Sequence, residues 1–202
     1  MASRFAWTPD PKAASDTNVA RLARALGVEV SDLRRKSVED VSAFWDAVVK
    51  ELPITFSQPY SRVMDDSVGV PWTKWFVGGR LNVAFNCVDR HAESDRADAI
   101  ALIWEGEDGP VRRITYRELH AEMNQFANGL KSLGIRRGDR VGLMLPMIPE
   151  VVVALLAIAK IGAIAVPIFS GFGASAVVDR LNDAQAAALV TADGFLRKGK
   201  VV

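Results

Sequence analysis

Hydrophobic residues follow two different rhythms along this 202-residue chain. Up to about residue 80 they recur at helical spacing, over 18–26 and again over 38–51, with Ser31 and Ser37 as the expected N-caps. The stretches 57–61 and 67–71 carry Pro and Gly and read as loops. From about Leu81 helices and strands alternate. A helix is expected over 82–89, a strand over 99–104, a turn over 105–109 and a returning strand over 111–115. Thr115 and Glu118 have capping-box spacing, which starts a helix over 116–133 with Leu119, Met123, Phe126 and Leu130 on one face. Gly134 stands where a left-handed residue ends a helix. Strands are then expected over 140–145, 163–168 and 188–191. They are separated by a helix from Pro149 to Gly162 and another over 174–185. Strand-helix-strand order with short connections predicts a parallel sheet. The fold class is therefore α/β: a helical N-terminal extension over 1–80, then the first part of a parallel α/β layer over 81–202.

Composition adds exclusions. The net charge of +1 gives no electrostatic reason to expect nucleic acid or an anionic membrane as partner. Cys87 is the single cysteine, so no internal disulfide forms, which fits a reducing cytoplasm. It reads as a small buried hydrophobe. The first ten residues lack the apolar stretch of a secretory signal. The most apolar run, 151–161, falls short of the roughly 20 residues a bilayer span needs, and reads as a buried helix. Trp7, Trp45, Trp72, Trp75 and Phe76 are many large aromatics for an extension, which suggests packing against a larger body.

Parallel sheets bind ligands at the carboxyl ends of their strands, here 145–148, 168–171 and 191–194. The segment 166–173, Val-Pro-Ile-Phe-Ser-Gly-Phe-Gly, passes from a strand to a helix. It is either a structural turn or a loop whose glycines admit a ligand to the backbone. Arg197, Lys198, Gly199 and Lys200 place three cations around a glycine, which is either a solvated loop or a phosphate grip. His91 and His120 lack a partner at metal spacing and read as surface or capping residues. The acidic run 105–109 lacks the calcium-loop pattern and reads as a hairpin tip.

Several runs together carry a resemblance. They are 81–91 (LNVAFNCVDRH), 99–106 (AIALIWEG), 112–119 (RRITYREL), 133–141 (LGIRRGDRV), 146–150 (PMIPE) and 168–172 (IFSGF), with Phe44-Trp45 and 74–79 (KWFVGG) upstream. In this order and spacing the chain resembles the acetyl-CoA synthetase family, the short-chain acyl-CoA synthetase branch of the adenylate-forming superfamily. The resemblance implies a helical extension over 1–80 and the beginning of the AMP-binding domain over 81–202. It implies an acetate or short-chain acid:CoA ligase that uses ATP and Mg²⁺ to make an acyl-adenylate and then a CoA thioester. By resemblance Phe169, Ser170 and Gly171 meet the adenine-nucleotide end of CoA, and Arg197, Lys198, Gly199 and Lys200 meet its phosphates. Two positions depart from the family pattern. Ser170 stands where glycine is common, and Lys200 replaces an arginine, keeping charge but losing the fork.

The Gly/Ser/Thr-rich ATP phosphate loop and the catalytic lysine of such enzymes lie beyond residue 202 in relatives. The expectation is a truncated N-terminal portion that is inactive alone, with no catalytic residue and no metal ligand of its own. Its implied partners are CoA and a short carboxylate, and either self-association or a polypeptide carrying the remainder. The alternative is a non-catalytic CoA- or adenine-nucleotide-binding module, or one chain of a split ligase.

Overall fold

The computed structural model describes residues 7–107, 109–194, 196–197 and 199–201. The chain divides into two compact units, Met1–Leu81 and Asn82–Val202.

Among the described residues the first unit carries four α-helices, a 3₁₀ turn over Val70–Trp72 and a ribbon. The helices are α1 (Pro11–Ser15), α2 (Asn18–Ala25), α3 (Val30–Glu39) and α4 (Val41–Glu51). Helix α2 starts where the Thr17 hydroxyl accepts the Ala20 N–H at 3.1 Å. The expected caps are corrected. Asp40, not Ser37, caps α4 by accepting the Ala43 N–H at 2.9 Å. Ser37 lies in the last turn of α3, its hydroxyl donating to the Arg34 carbonyl, and Ser31 lies inside that helix. A carboxylate one residue before an apolar run is the stronger N-terminal signal.

A ribbon that the pattern did not predict follows, β1 (Arg62–Asp65) antiparallel to β2 (Lys74–Val77). Aromatic rings hold this unit. Phe56, Tyr60 and Phe76 meet pairwise at 5.1–5.8 Å, and Trp45 meets Trp75 at 6.3 Å. Phe76 takes φ 47°, an unfavourable left-handed backbone for a bulky residue. The adjacent Gly79 leaves room for it, since a Cβ there would lie 2.9 Å from the Phe76 carbonyl.

The second unit opens with a π-helix, Phe85–Asp89, running into α5 (Arg90–Ala92). Ala84, Val88 and Asp89 face inward, and Cys87 is exposed on the outer side, against the expectation that it is buried. The hairpin β3 (Ile100–Glu105) and β4 (Val111–Thr115) follows. Both halves of the capping box then form. The Thr115 hydroxyl accepts the Glu118 N–H, and the Glu118 carboxylate accepts the Thr115 N–H. From that cap runs α6 (Tyr116–Ser132), ended by Gly134 at φ 88°.

Next come β5 (Arg140–Met144), α7 (Pro149–Lys160), β6 (Ile164–Pro167), α8 (Ala174–Asp183) and β7 (Ala188–Thr191). The three strands form one parallel sheet in the order β6-β5-β7, as the alternation predicts. A short antiparallel pair, β8 (Leu196–Arg197) and β9 (Lys200–Val201), closes the series.

Residues alternate faces along a strand, and β5 shows what covers each face. Val141 packs with Ile158 of α7, Leu130 of α6 and Ile135. Gly142 points the other way, where a Cβ would sit 2.5 Å from Leu181 of α8. Glycine at the centre of the central strand thus lets α8 close on the sheet, while α7 covers the opposite face. A second cluster joins the π-helix, β4, α6 and α7 through Ala84, Val88, Ile114, Leu119, Met123 and Val153. Among the described residues no helix is long and apolar enough to cross a membrane.

Candidate functional site

The carboxyl ends of β5, β6 and β7 meet in a cleft of about 230 Å³. Met144 and Pro146 come from the end of β5, Ser170 from the loop after β6, and Thr191, Ala192, Asp193 and Gly194 from the end of β7. Each lies there because a parallel sheet puts all of its strand ends on one side. The loop after β6 is pinned by the Ile168 N–H donating to the Leu143 carbonyl, and turns through Phe172 N–H to Phe169 carbonyl.

Phe169 is 64% exposed and meets Phe172 edge to face at 5.6 Å. The Arg180 guanidinium covers the Phe172 ring at 4.2 Å. Gly171 runs against the Phe169 ring, where a Cβ would lie 2.6 Å from Cε1. A side chain at position 171 would push this exposed ring aside, so glycine lets the loop fold back on its own aromatic residue. The other wall is braced from the hairpin. Trp104 Nε1–H donates to the Met147 carbonyl at 2.6 Å, and Arg112 pairs with Glu150 at 2.8 Å. Burial pushes the Glu150 carboxyl up. The Arg112 hydrogen bond, its own backbone N–H and the Arg112 charge outweigh that and hold it below the usual range.

The sequence-predicted residues divide between two places. Ser170 lines the cleft, and Phe169 and Gly171 flank it. Arg197 and Lys200 are partners in the antiparallel register of β8–β9, with Gly199 at φ 71° between them. The Gly199 N–H points to the Glu107 carboxylate at 3.4 Å. Lys198 lies outside the described residues. The described lining of the cleft has one charged side chain, Asp193, and no cation.

A polar cluster escaped the sequence reading. Lys160 Nζ donates to both oxygens of Asp89 at 2.8 Å, and His120 Nε2 lies 3.3 Å from the same carboxylate. Asn124 is 2.9 Å from that nitrogen, and the Asn82 amide donates to the Lys160 carbonyl at 2.9 Å. Asp89 ends the π-helix, His120 and Asn124 lie in α6 and Lys160 ends α7, with Asn82 just before the π-helix, so no spacing rule could link them. His91 stacks on Tyr116 at 4.8 Å, and burial followed by the Arg90 and Arg96 charges lowers its pKa. Among the described residues no group of His, Cys, Asp and Glu could hold a metal ion.

Two family matches lie end to end. Acetyl-coenzyme A synthetase N-terminus covers residues 30–87, and AMP-binding enzyme covers 88–201. An acetyl-coenzyme A synthetase of Methanothrix soehngenii is 46% identical over 168 residues, 82% of this chain and 25% of that protein. A 3-hydroxypropionyl-coenzyme A synthetase of Sulfurisphaera tokodaii is 45% identical over 84% of this chain and 26% of its own length. Among solved structures, an acetoacetyl-CoA synthetase from Streptomyces lividans matches with a TM-score of 0.87 and 35% identity. The match covers 96% of this chain and 31% of that one. The chain spans about a quarter of the length of the curated relatives it matches.

Proposed function

The chain belongs to the AMP-binding enzyme family, and from that membership we propose that it forms the N-terminal portion of an ATP-dependent ligase joining a short acid to CoA. The observation that carries this reading is the unbroken order of the two family matches across 30–201. The acetyl-CoA synthetases of the family use ATP, Mg²⁺ and CoA. ATP supplies the leaving group that makes a carboxylate reactive toward a thiol. The proposed role of these residues is to hold CoA, not to drive adenylation. The relatives named differ in their acid, acetate or 3-hydroxypropionate, at nearly equal identity to this chain. That supports assigning acid selection to residues other than these.

The proposed CoA contacts are Phe169, Ser170 and Gly171 in the loop after β6, and Arg197, Lys198, Gly199 and Lys200 around the β8–β9 turn. Phe169 offers an exposed ring and Gly171 a backbone free of side chain. Asp193 opposes them, because a carboxylate in the cleft repels a phosphate. The cations of the hairpin must therefore outweigh Asp193.

Titration of the chain with CoA and with dephospho-CoA, followed by chemical shift or calorimetry, tests this. Millimolar to high-micromolar affinity is expected, roughly 4–6 kcal/mol, with CoA preferred. Arg197→Ala should weaken binding and Asp193→Asn should strengthen it. Equal response to both ligands, or no response at 169–171 and 199–200, would sink the assignment. The 202 residues hold no Gly/Ser/Thr-rich loop ending in lysine. Given ATP, Mg²⁺, acetate and CoA, they should release no pyrophosphate above a protein-free blank.

A further inference from the structure

The amino ends of the sheet are built very differently from the carboxyl ends. Lys131 stands in the last turn of α6, Lys160 ends α7, and Arg136 and Arg137 lie in the turn leading into β5. These four cations line one groove of about 450 Å³, with Asn124 on its wall and Ile135 among its apolar contacts. No carboxylate lines it among the described residues. Asp89 already neutralises Lys160 from behind. Asp139, in the same turn, accepts the Arg136 backbone N–H at 2.7 Å. The side chains of Lys131, Arg136 and Arg137 enter no ion pair among the described residues.

Two of these features mark a built site rather than a solvated face. Arg137 is seated: its stem lies over Gly162, where a Cβ would come within 3.0 Å of Cγ. The Gly138 N–H donates to the Gly162 carbonyl at 2.9 Å, fixing the turn that carries both arginines. Like charges gathered without a counter-ion repel one another, and a bound anion relieves that repulsion. Guanidinium forks fit phosphate and carboxylate oxygens in pairs. The volume falls within the range of small-molecule sites, about 300–1,000 Å³.

We propose that this groove is a second anion site, for a small molecule bearing three or more negative charges on phosphate or carboxylate oxygens. It lies at the opposite end of the sheet from the proposed CoA cleft and shares no lining residue with it. It does not depend on the CoA reading.

The test titrates the isotope-labelled full chain with inorganic tripolyphosphate and, separately, with citrate, at low and at physiological salt. Saturable shifts of the 124, 131, 136 and 137 amides are expected, weakened by salt. Saturation by tripolyphosphate alone assigns phosphate, and saturation by citrate assigns carboxylate. Arg136→Gln with Arg137→Gln should weaken binding at least tenfold, and Arg197→Ala should leave the groove's response unchanged. If the double variant loses its fold by circular dichroism, Lys131→Gln is used, with a several-fold loss expected. Two outcomes overturn the proposal. One is no saturable response at these amides with either anion. The other is an equal loss when two exposed cations elsewhere, Lys74 and Arg113, are replaced. A response confined to 169–171 and 199–200 belongs to the other cleft and also counts against this one.

Discussion

The two units of this chain use different means of cohesion. In the first, the buried apolar side chains among the described residues are Ala20, Ala23 and Val63. Its tryptophans stay largely outside, with Trp72 at 72% exposure, its other rings are half-buried, and its contacts are ring edges, caps and surface pairs. In the second, Met123, Val88, Val141 and Ile158 are sealed within helices laid on a sheet. Burial of that kind contributes a few kcal/mol per side chain. Exposed pairs contribute tenths. Two units of one chain can thus be held by contacts of very different strength, rings and caps in one and sealed aliphatic side chains in the other.

The most severe test is to remove a sealed side chain. Met123, 0% exposed, touches the cluster that joins the π-helix, β4, α6 and α7. Met123→Ala should cost about 2–5 kcal/mol. Tryptophan fluorescence separates the units, since Trp7, Trp45, Trp72 and Trp75 lie in the first and Trp104 in the second. Under denaturant the circular dichroism transition should shift far more than the fluorescence transition. If both shift together, the two units share one cooperative core and the contrast fails.

A smaller effect is expected at the internal ion pair. Lys160→Met leaves Asp89 buried without its charge partner and should cost about 1–3 kcal/mol. Because the loss falls in the second unit, it should again spare the fluorescence transition.

Capping gives like-for-like tests in the two units. Thr115→Ala in α6 and Asp40→Ala in α4 should each cost about 1 kcal/mol by melting curves. A much larger loss at Asp40 would show that its unit depends on caps where the other depends on core.

The smallest effect is pH-dependent. Asp46 accepts hydrogen bonds from Lys50 and from Tyr60, and these, in that order, hold its carboxyl below the usual range. The same bond to Asp46, then burial, raises the Tyr60 pKa. A depressed carboxyl adds stability that is complete above its unfolded value, about 4, and lost as pH falls through the folded one. A raised phenol adds stability complete below about 10 and lost as pH rises through its folded value. The first unit should thus be firmest between those limits. Asp46→Asn should flatten both flanks by roughly a few tenths of a kcal/mol.

Much of the second unit was legible because its signals are local. The Thr115–Glu118 box, the Gly134 and Gly162 stops and Pro149 at a helix start each act within one turn, and the sheet follows from their order. The ribbon of the first unit was not legible. Arg62–Asp65 and Lys74–Val77 are four residues each and only Val63 among them is buried, too little to impose an apolar alternation. The candidate site was half legible. Strand ends are fixed by topology, so Ser170 and the 191–194 segment could be placed together. Asp193 as the cleft's charged group, and the basic groove at the other end, depend on side chains converging from distant segments.

The π-helix has a consequence for descent by insertion and deletion. Its i→i+5 bonding accommodates one residue more than an α-helix would in the same turns. An α-helix advances by about 100° per residue. Loss of Cys87 alone would therefore let the same turns close as an ordinary α-helix, with Val88 still in the core and Asp89 still at Lys160. A second loss would find no extra residue to give up, and would swing everything beyond it by about that angle. Between Ala84 and Arg90 the fold has slack for one missing codon and none for two.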